Sequence, residues 1–155
     1  MKRTSLISLF TLFFVIAFSS CSKEDEYIDW KIINEQWLAD NLKNDSIVQT
    51  ASGLQYKVIH QGWTGSRKAN SASYVVVNYE GKLINDSVFD SGTKQGFYLS
   101  DVVVGWMEGI KKMNEGGKYI LYIPSSLAYG KDGNSDDIPP YSTLIFEIEL
   151  IASYD

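Results

Sequence analysis

The stretch that decides the fold is residues 102–117, which read VVVGWMEGIKKMNEGG. Trp106, Ile110 and Met113 stand at positions i, i+4 and i+7, a spacing that lines one face of an α-helix. The glycine pair at 116–117 supplies the predicted left-handed C-terminal stop of this helix. A helix of so few turns is unstable alone in water, so it must lie on a larger apolar surface.

Predicted strands on either side of this helix offer that surface. Strongly β-prone runs cover residues 74–79, 118–123 and 143–151, and residues 80–91 read as strand, turn, strand. The last of the three runs alternates apolar and glutamate side chains, as expected for a strand with one buried face. The sequence therefore predicts an α+β fold in which one short helix crosses an antiparallel sheet.

Composition limits the function classes. The chain has 155 residues, 45% of them hydrophobic and 14% aromatic, enough for one domain with a packed core and an attached segment. Its formal charge is −5 and it has no basic stripe, which argues against nucleic-acid binding. One cysteine and one histidine argue against a protein-only zinc site and against a Cys/His nucleophile pair. The histidine, His60, is expected at the surface.

The amino terminus has the features of a secretory signal. Two basic residues precede an uncharged apolar run at residues 6–18, which is too short to span a bilayer. The run ends FSSC at residues 18–21, which resembles the lipobox of bacterial lipoproteins. The resemblance implies that residues 1–20 are removed and that Cys21 becomes a lipidated amino terminus, because several acyl chains anchor a protein stably. The alternative is an ordinary signal peptide with an incidental cysteine.

A lipidated Cys21 would place the protein outside the cytoplasm on a bacterial membrane. We expect the outer membrane, and the sequence leaves open whether the periplasmic or the cell-surface side is occupied. Residues 22–26 read SKEDE, a charged spacer that serves either as a solvated tether or as a surface-export signal.

Residues 28–42 have helical spacing, with Asp29 available as an N-cap. We predict that Trp30, Ile33 and Trp37 share one side of this helix, continued by the leucines at 38 and 42. Such a side must be covered, and three partners are open: the main domain, a second copy in a homodimer, or the membrane face.

Motifs for common catalytic and metal chemistry fail in this chain. Residues 132–143 imitate an EF-hand loop, but the sixth position is Asp137 rather than glycine and the twelfth is Thr143 rather than glutamate. No G-x-S-x-G motif is present. What remains is an excess of aromatic residues beside few ionisable groups.

Those aromatic residues belong to motifs that resemble a known family. The order and spacing are similar to those of FKBP-type peptidyl-prolyl cis-trans isomerases for five pieces: YEG at 79–81, VFDS at 88–91, VVVGWMEG at 102–109, AYG at 128–130, and IPP at 138–140 through TLIF at 143–146. The resemblance covers about residues 53–151. It implies the FKBP fold, a strongly curved antiparallel sheet wrapped around one short helix, here with an N-terminal helical extension. It thereby divides the chain into a signal peptide at 1–20, a lipidated cysteine, tether and short helix at 21–50, and an isomerase domain at 51–155.

The resemblance also implies a proline-binding pocket. Its predicted catalytic members are Tyr79, Phe89, Asp90, Trp106, Tyr129 and Phe146, and its predicted substrate-binding members are Val102, Val103, Ile138, Gln95 and Phe97. In the family pattern Trp106 is the floor, and the Val103 N–H and the Tyr129 hydroxyl hold the carbonyls of the peptide. The alternative for the inward-facing aromatic residues is plain core packing. Gln95 and Asp137 depart from the apolar residues usual in the family, which affects the expected substrate preference.

The implied activity is isomerisation of X–Pro bonds in exported proteins. The barrier, about 18–20 kcal/mol, is the amide resonance that is lost when the C–N bond twists. An apolar pocket favours the twisted amide, which has less charge separation, so we expect no cofactor, metal or nucleophile. The resemblance further implies proline-containing polypeptides as partners and macrolides as inhibitors. The rival hypothesis is a non-catalytic peptide-binding or chaperone module of a cell-envelope lipoprotein.

Overall fold

The computed structural model describes residues 26–134 and 137–155. Predictions on the signal peptide, on Cys21 and on most of the charged spacer therefore lie outside the described residues. Within the described residues, two α-helices and six strands follow in chain order: α1 Ile28–Asn41, β1 Val48–Gln49, β2 Gln55–His60, β3 Tyr74–Lys82, β4 Val88–Tyr98, α2 Val104–Ile110, β5 Lys118–Ile123 and β6 Leu144–Tyr154. Short 3₁₀ helices cover Leu99–Asp101 and Ser125–Leu127.

The six strands form one antiparallel sheet in the order β1-β2-β5-β6-β3-β4. β6 lies in the interior of the sheet and pairs with β5 on one side and β3 on the other, so that Phe146 is opposite Leu121 and Gly81. The strand predicted at 118–123 is confirmed at both ends. The strands predicted at 74–79 and 143–151 extend three residues beyond their predicted ends, to Lys82 and Tyr154. The first strand of the sheet starts at Val48. This is three residues before residue 51, the predicted start of the isomerase domain.

The short helix α2 packs against β5 with two glycines facing the strand. A Cβ atom at Gly105 would overlap the Ile123 side chain, and one at Gly109 would overlap Leu121. The side chains that follow these glycines, Trp106 and Ile110, are buried in the core. The predicted arrangement of one helix on an antiparallel sheet is therefore confirmed, and the glycines permit the close approach that it needs.

The predicted end of α2 is wrong. The helix ends at Ile110, and the N–H groups of Lys112 and Met113 bond to carbonyls three residues back, which tightens the chain into turns. Met113 is fully buried beyond the helix, so the i+7 position serves the core without being helical. Gly116, with φ +75°, forms the later turn into β5.

The helix α1 packs on the domain of its own chain, one of the three partners left open by the sequence. Trp30 lies against the core, and the Trp37 ring is 5.7 Å from the Tyr122 ring. The predicted buried side is wrong in two members, because Ile33 and Leu42 are 53% and 38% exposed, while Asn34 is 1% exposed. Asn34 takes the inward place since its amide satisfies two backbone groups, as described below.

The N-cap of α1 also differs from the prediction. The cap residue is Tyr27, which makes no side-chain cap bond, and Asp29 lies in the first turn instead. An acidic side chain there still interacts favourably with the positive end of the helix dipole. Within the described part of the chain, no helix is both long enough and apolar enough to cross a membrane.

Candidate active site

A cavity of about 260 Å³ opens where β3, β4, α2 and the loop after β5 meet. Nine residues line it: Tyr79, Asp90, Phe97, Asp101, Val102, Val103, Trp106, Tyr129 and Phe146. Eight of these nine are residues that the family pattern implies, so motifs spread over some 70 residues of sequence converge on one site.

Trp106 lies at the base of this cavity on the first turn of α2 and is 4% exposed. Three aromatic rings stand nearly edge-on to its indole. The ring centroids of Phe97, Tyr79 and Phe146 are 5.4, 5.9 and 6.0 Å away, at interplanar angles of 80°, 85° and 71°. T-shaped contacts of this kind fix ring positions and exclude water. Within the described residues, the buried Trp106 Nε1 has no hydrogen-bond partner.

Two glycines leave room for the aromatic walls. A Cβ atom at Gly81 would lie 2.6 Å from the Phe146 ring and 2.8 Å from the Phe89 ring, and one at Gly92 would lie 2.7 Å from Tyr79 Cε1. Any larger residue at these positions would displace the rings.

Three residues predicted for the pocket do not line the cavity. Phe89 stands behind the wall, with its ring perpendicular to Phe146 at 5.4 Å. Ile138 is 4% exposed and belongs to the core. Gln95 is exposed, and its amide donates to the Thr93 carbonyl at 3.3 Å. Gln95 follows an irregularity in the β3–β4 register, where Val77 pairs with Gln95 but Tyr79 pairs with Gly92.

The Tyr79 hydroxyl donates a hydrogen bond of 2.9 Å to Asp90 Oδ2. Burial of the ring, together with this bond to a carboxylate, raises the pKa of Tyr79 to about 12. The phenol therefore keeps its proton at neutral pH and holds the Asp90 carboxylate in one orientation at the rim of the cavity.

Two hydrogen-bond donors are available to a guest in the cavity. Val103 is the N-cap of α2, and its carbonyl accepts from the N–H groups of Trp106 and Met107 at 3.0 and 3.1 Å. In the part of the chain that the structure describes, no hydrogen bond uses the Val103 N–H or the Tyr129 hydroxyl. Tyr129 is 37% exposed. An amide carbonyl entering an apolar cavity needs such donors to offset its loss of water.

Sequence reasoning missed Asp101. This residue ends the 3₁₀ helix Leu99–Asp101, and its Oδ1 accepts a hydrogen bond of 2.8 Å from the Ser100 hydroxyl. The available signal was its position directly before the predicted pair Val102 and Val103. Asp101 and Asp90 make the lining acidic, since none of the nine lining residues is cationic.

The lining residues can bind and orient an amide, but they offer little for other chemistry. No group of three His, Cys, Asp or Glu side chains that could hold a metal occurs within residues 26–134 and 137–155. The cavity combines aromatic edges, two free donors and one fixed carboxylate, a set suited to an apolar group next to a carbonyl.

Comparisons with known proteins agree with this geometry. The sequence model of a family described as FKBP-type peptidyl-prolyl cis-trans isomerase matches residues 65–151, and that of the domain amino terminal to it matches residues 19–58. The chain is 43% identical over 121 residues to a probable FKBP-type isomerase FkpA of Neisseria meningitidis, covering 76% of this chain and 44% of that protein. It is also 43% identical over 120 residues to the FKBP-type 22 kDa isomerase of Escherichia coli, covering 75% and 57%. The chain thus spans about half the length of these curated relatives.

Solved structures show the same fold. The crystal structure of FkpA from Escherichia coli superposes with a TM-score of 0.79 at 35% identity, covering 85% of this chain and 62% of that one. A peptidyl-prolyl cis-trans isomerase from Pseudomonas syringae superposes with a TM-score of 0.78 at 32% identity, covering 83% and 96%.

Proposed function

The chain belongs to the family of FKBP-type peptidyl-prolyl cis-trans isomerases, and we propose that it accelerates cis/trans exchange of X–Pro bonds in polypeptides. The observation that carries this proposal is the aromatic cavity over Trp106, with unused donors at Val103 and Tyr129 beside it. A proline ring fits the apolar floor, and the neighbouring carbonyls fit the donors.

The proposed mechanism is differential binding of the twisted amide. Planar X–Pro amides are stabilised by charge separation between nitrogen and oxygen, and water favours that polar form. In a cavity walled by Tyr79, Phe97 and Phe146, water is displaced and the less polar twisted amide is favoured. An acceleration of about 10⁴ requires only about 5.5 kcal/mol of preferential binding, which needs no covalent intermediate.

Asp90 acts in this mechanism as an oriented dipole. Its Oδ2 is held by the Tyr79 hydroxyl at 2.9 Å, so the carboxylate presents a fixed negative field to the guest amide. Twisting places a lone pair on the proline nitrogen and weakens the negative charge on the carbonyl oxygen. A preorganised field that stabilises this new distribution of charge lowers the barrier without moving a proton.

A protease-coupled assay with a short X–Pro peptide tests the activity of the full chain. We expect catalysed exchange by the wild type and a reduced kcat/KM for Tyr129→Phe, which removes one donor and keeps the ring. Trp63→Phe is the control, because Trp63 is 66% exposed and does not line the cavity. Tight peptide binding without acceleration would instead support the rival role of a peptide-binding chaperone module.

The substrates and location proposed here are those of an exported, membrane-anchored protein. The support is the signal-like residues 1–20 and the lipobox-like FSSC at residues 18–21. Lipid on Cys21 would anchor the domain to a bacterial membrane, on the outer membrane in our proposal. Labelling with radioactive fatty acid tests this: wild type should be labelled and Cys21→Ala should not. Equal labelling of the two would refute the anchor.

Two further partners stay predictions. Macrolides that carry a proline-like ring would compete for the same cavity, which an inhibition assay can measure. A homodimer through α1 cannot use Trp30 or Trp37, which are engaged within the chain. Ile28, Ile32 and Ile33 are exposed on that helix and would have to supply such an interface.

A further inference from the structure

Two long-range hydrogen bonds join the helix α1 to residues 138–143, a segment that we call the strap, and the Lys31 ammonium lies 5.1 Å from the centre of the Tyr141 ring. Asn34 Oδ1 accepts a hydrogen bond of 2.7 Å from the Thr143 N–H, while Asn34 Nδ2 donates to the Trp30 carbonyl at 2.8 Å. The Trp30 indole donates to Ser142 Oγ at 2.9 Å, and that hydroxyl donates to the Pro139 carbonyl at 2.7 Å. Asn34, Ser142 and Thr143 are all buried, so these contacts are held away from water.

The strap is in turn bonded to the loop segment that carries Tyr129. The Tyr141 N–H donates to the Gly130 carbonyl at 2.8 Å, one residue after Tyr129. At its start, the strap pairs with the loop through the bridge between Asn134 and Ile138. A displacement of the strap would therefore move the backbone on which the Tyr129 side chain stands.

The helix itself does not reach the cavity. A groove of about 350 Å³ separates α1 from the Tyr129 side of the loop, and Lys31 and Leu38 line it opposite Ser125 and Gly130. None of the residues of α1 lines the candidate active site. The hydrogen-bonded route from α1 to the loop segment that carries Tyr129 runs through the strap.

We propose that Asn34 and Trp30 are positioning residues for Tyr129, acting through the strap. This inference rests on the proposed isomerase function for its effect on rate, and on the hydrogen bonds above for its route. Removal of the Asn34 amide leaves the Thr143 N–H buried without its acceptor, because Thr143 is 1% exposed. The strap must then shift to regain a partner, and the Tyr129 hydroxyl shifts with it. Small displacements of a donor reduce a rate that depends on its position.

The chain offers a matched control on the same helix. Asn41 Nδ2 donates to Gln55 Oε1 at 2.9 Å, and Gln55 Nε2 donates to the Leu38 carbonyl at 3.0 Å. Asn41→Ala thus removes one asparagine contact between α1 and the sheet without touching the strap. Two tryptophan variants form a second matched pair. Trp30→Phe deletes the indole donor to Ser142, and Trp37→Phe is its control, because the Trp37 ring packs on Tyr122, a residue outside the strap.

The first measurement is kcat/KM of the full chain in a double-mutant cycle. We expect Asn34→Ala to lower kcat/KM about tenfold in the wild-type background. In the Tyr129→Phe background the same substitution should lower it by less than about twofold, since the hydroxyl that it positions is gone. Asn41→Ala should change it by less than about twofold in either background. Equal losses from Asn34→Ala in both backgrounds, or equal losses from Asn34→Ala and Asn41→Ala, would overturn the proposal.

The second measurement does not depend on activity. In NMR spectra of the full chain with labelled tyrosine rings, Asn34→Ala should shift the Tyr129 ring signals and Asn41→Ala should leave them in place. Should Asn34→Ala fail to fold, Trp30→Phe and Trp37→Phe replace the pair with the same expectations. If the wild type does not accelerate X–Pro exchange, the proposed function fails, and the Tyr129 signals alone decide the positioning role. If the Tyr129 signals stay in place in both variants of a pair, the positioning role is refuted.

Discussion

The Tyr79 hydroxyl donates to Asp90 Oδ2 at 2.9 Å and so joins β3 to β4 at the rim of the cavity. The motifs at 79–81 and 88–91 predict both residues as members of the site. Their contact, however, depends on the register in which β3 pairs with β4. Gly81 pairs with Asp90 and Tyr79 pairs with Gly92, which brings the phenol across the strand to the carboxylate. The bond makes Tyr79 a fixed wall and Asp90 a fixed charge.

The raised pKa of Tyr79 predicts how stability depends on pH. The folded-state pKa is about 12, above the ordinary value of 10.0, so folding favours the protonated phenol. This contribution is complete below about pH 10 and is lost as the pH rises from about 10 to about 12. In denaturant titrations, the wild type should lose more unfolding free energy over that interval than Tyr79→Phe.

That comparison also controls for the other tyrosines. Burial raises the pKa of Tyr119 and of Tyr122 as well, and both remain in the Tyr79→Phe variant. Parallel pH curves for the two proteins would show that Tyr79 is not protected in the folded state.

Asp90 is predicted to act through its orientation and field rather than by taking a proton. Asp90→Asn removes the negative charge but keeps an oriented dipole and an oxygen acceptor for the Tyr79 hydroxyl, so we expect only a partial loss, with kcat/KM falling by less than about tenfold. Asp90→Ala removes the acceptor and should reduce kcat/KM further. Steady-state assays on variants with matched melting temperatures measure this. An Asn variant as inactive as the Ala variant would contradict the prediction.

The close approach of α2 to β5 predicts the effect of a single methyl group. Gly109→Ala places a Cβ against the buried Leu121 side chain, and overpacking of this kind costs about 1–3 kcal/mol. Better helix propensity offsets up to about 1 kcal/mol of that loss. Val104→Ala on the same helix is the control, because Val104 is 54% exposed. Urea unfolding should show a clear loss for Gly109→Ala only, and a stabilised Gly109→Ala would mean that the helix moves freely.

Adjacent residues of β6 separate the role of the cavity from that of the core. Phe146 and Ile145 are 8% and 7% exposed, but only Phe146 lines the cavity. Truncation of either to alanine should cost about 2–5 kcal/mol of unfolding free energy. In the folded fraction, kcat/KM should fall sharply for Phe146→Ala and remain near the wild-type value for Ile145→Ala. A similar loss in both would mean that activity only follows stability.

Local sequence patterns were sufficient for most elements of the fold. The strand at Lys118–Ile123 and the helix around Trp106 follow from periodicity and turn residues alone. The cavity could be predicted because all of its aromatic members except Phe97 lie in short motifs whose order resembles one family. Ile138 is in such a motif, yet its side chain belongs to the hydrophobic core. The motif does not indicate whether a side chain faces the cavity or the core.

The features that were not predicted do not follow from local periodicity or turn residues. Asn34 is buried because its amide meets the Thr143 N–H, 109 residues later, whereas periodicity favoured the more apolar Ile33. The end of α2 at Ile110 is set by turn hydrogen bonds, not by the glycines that signal a stop. Asp101 carries no motif of its own and joins the site only through the path of the chain before Val102.

The measurement that tests the central claim most directly is the exchange rate of an X–Pro peptide, followed by NMR exchange spectroscopy at about pH 6 and about pH 9 with the full chain. If the cavity works by favouring the twisted amide, the wild type accelerates exchange at both values and kcat/KM differs between them by less than about twofold. No acceleration, or a change of about tenfold that follows the titration of one side chain, would contradict the account.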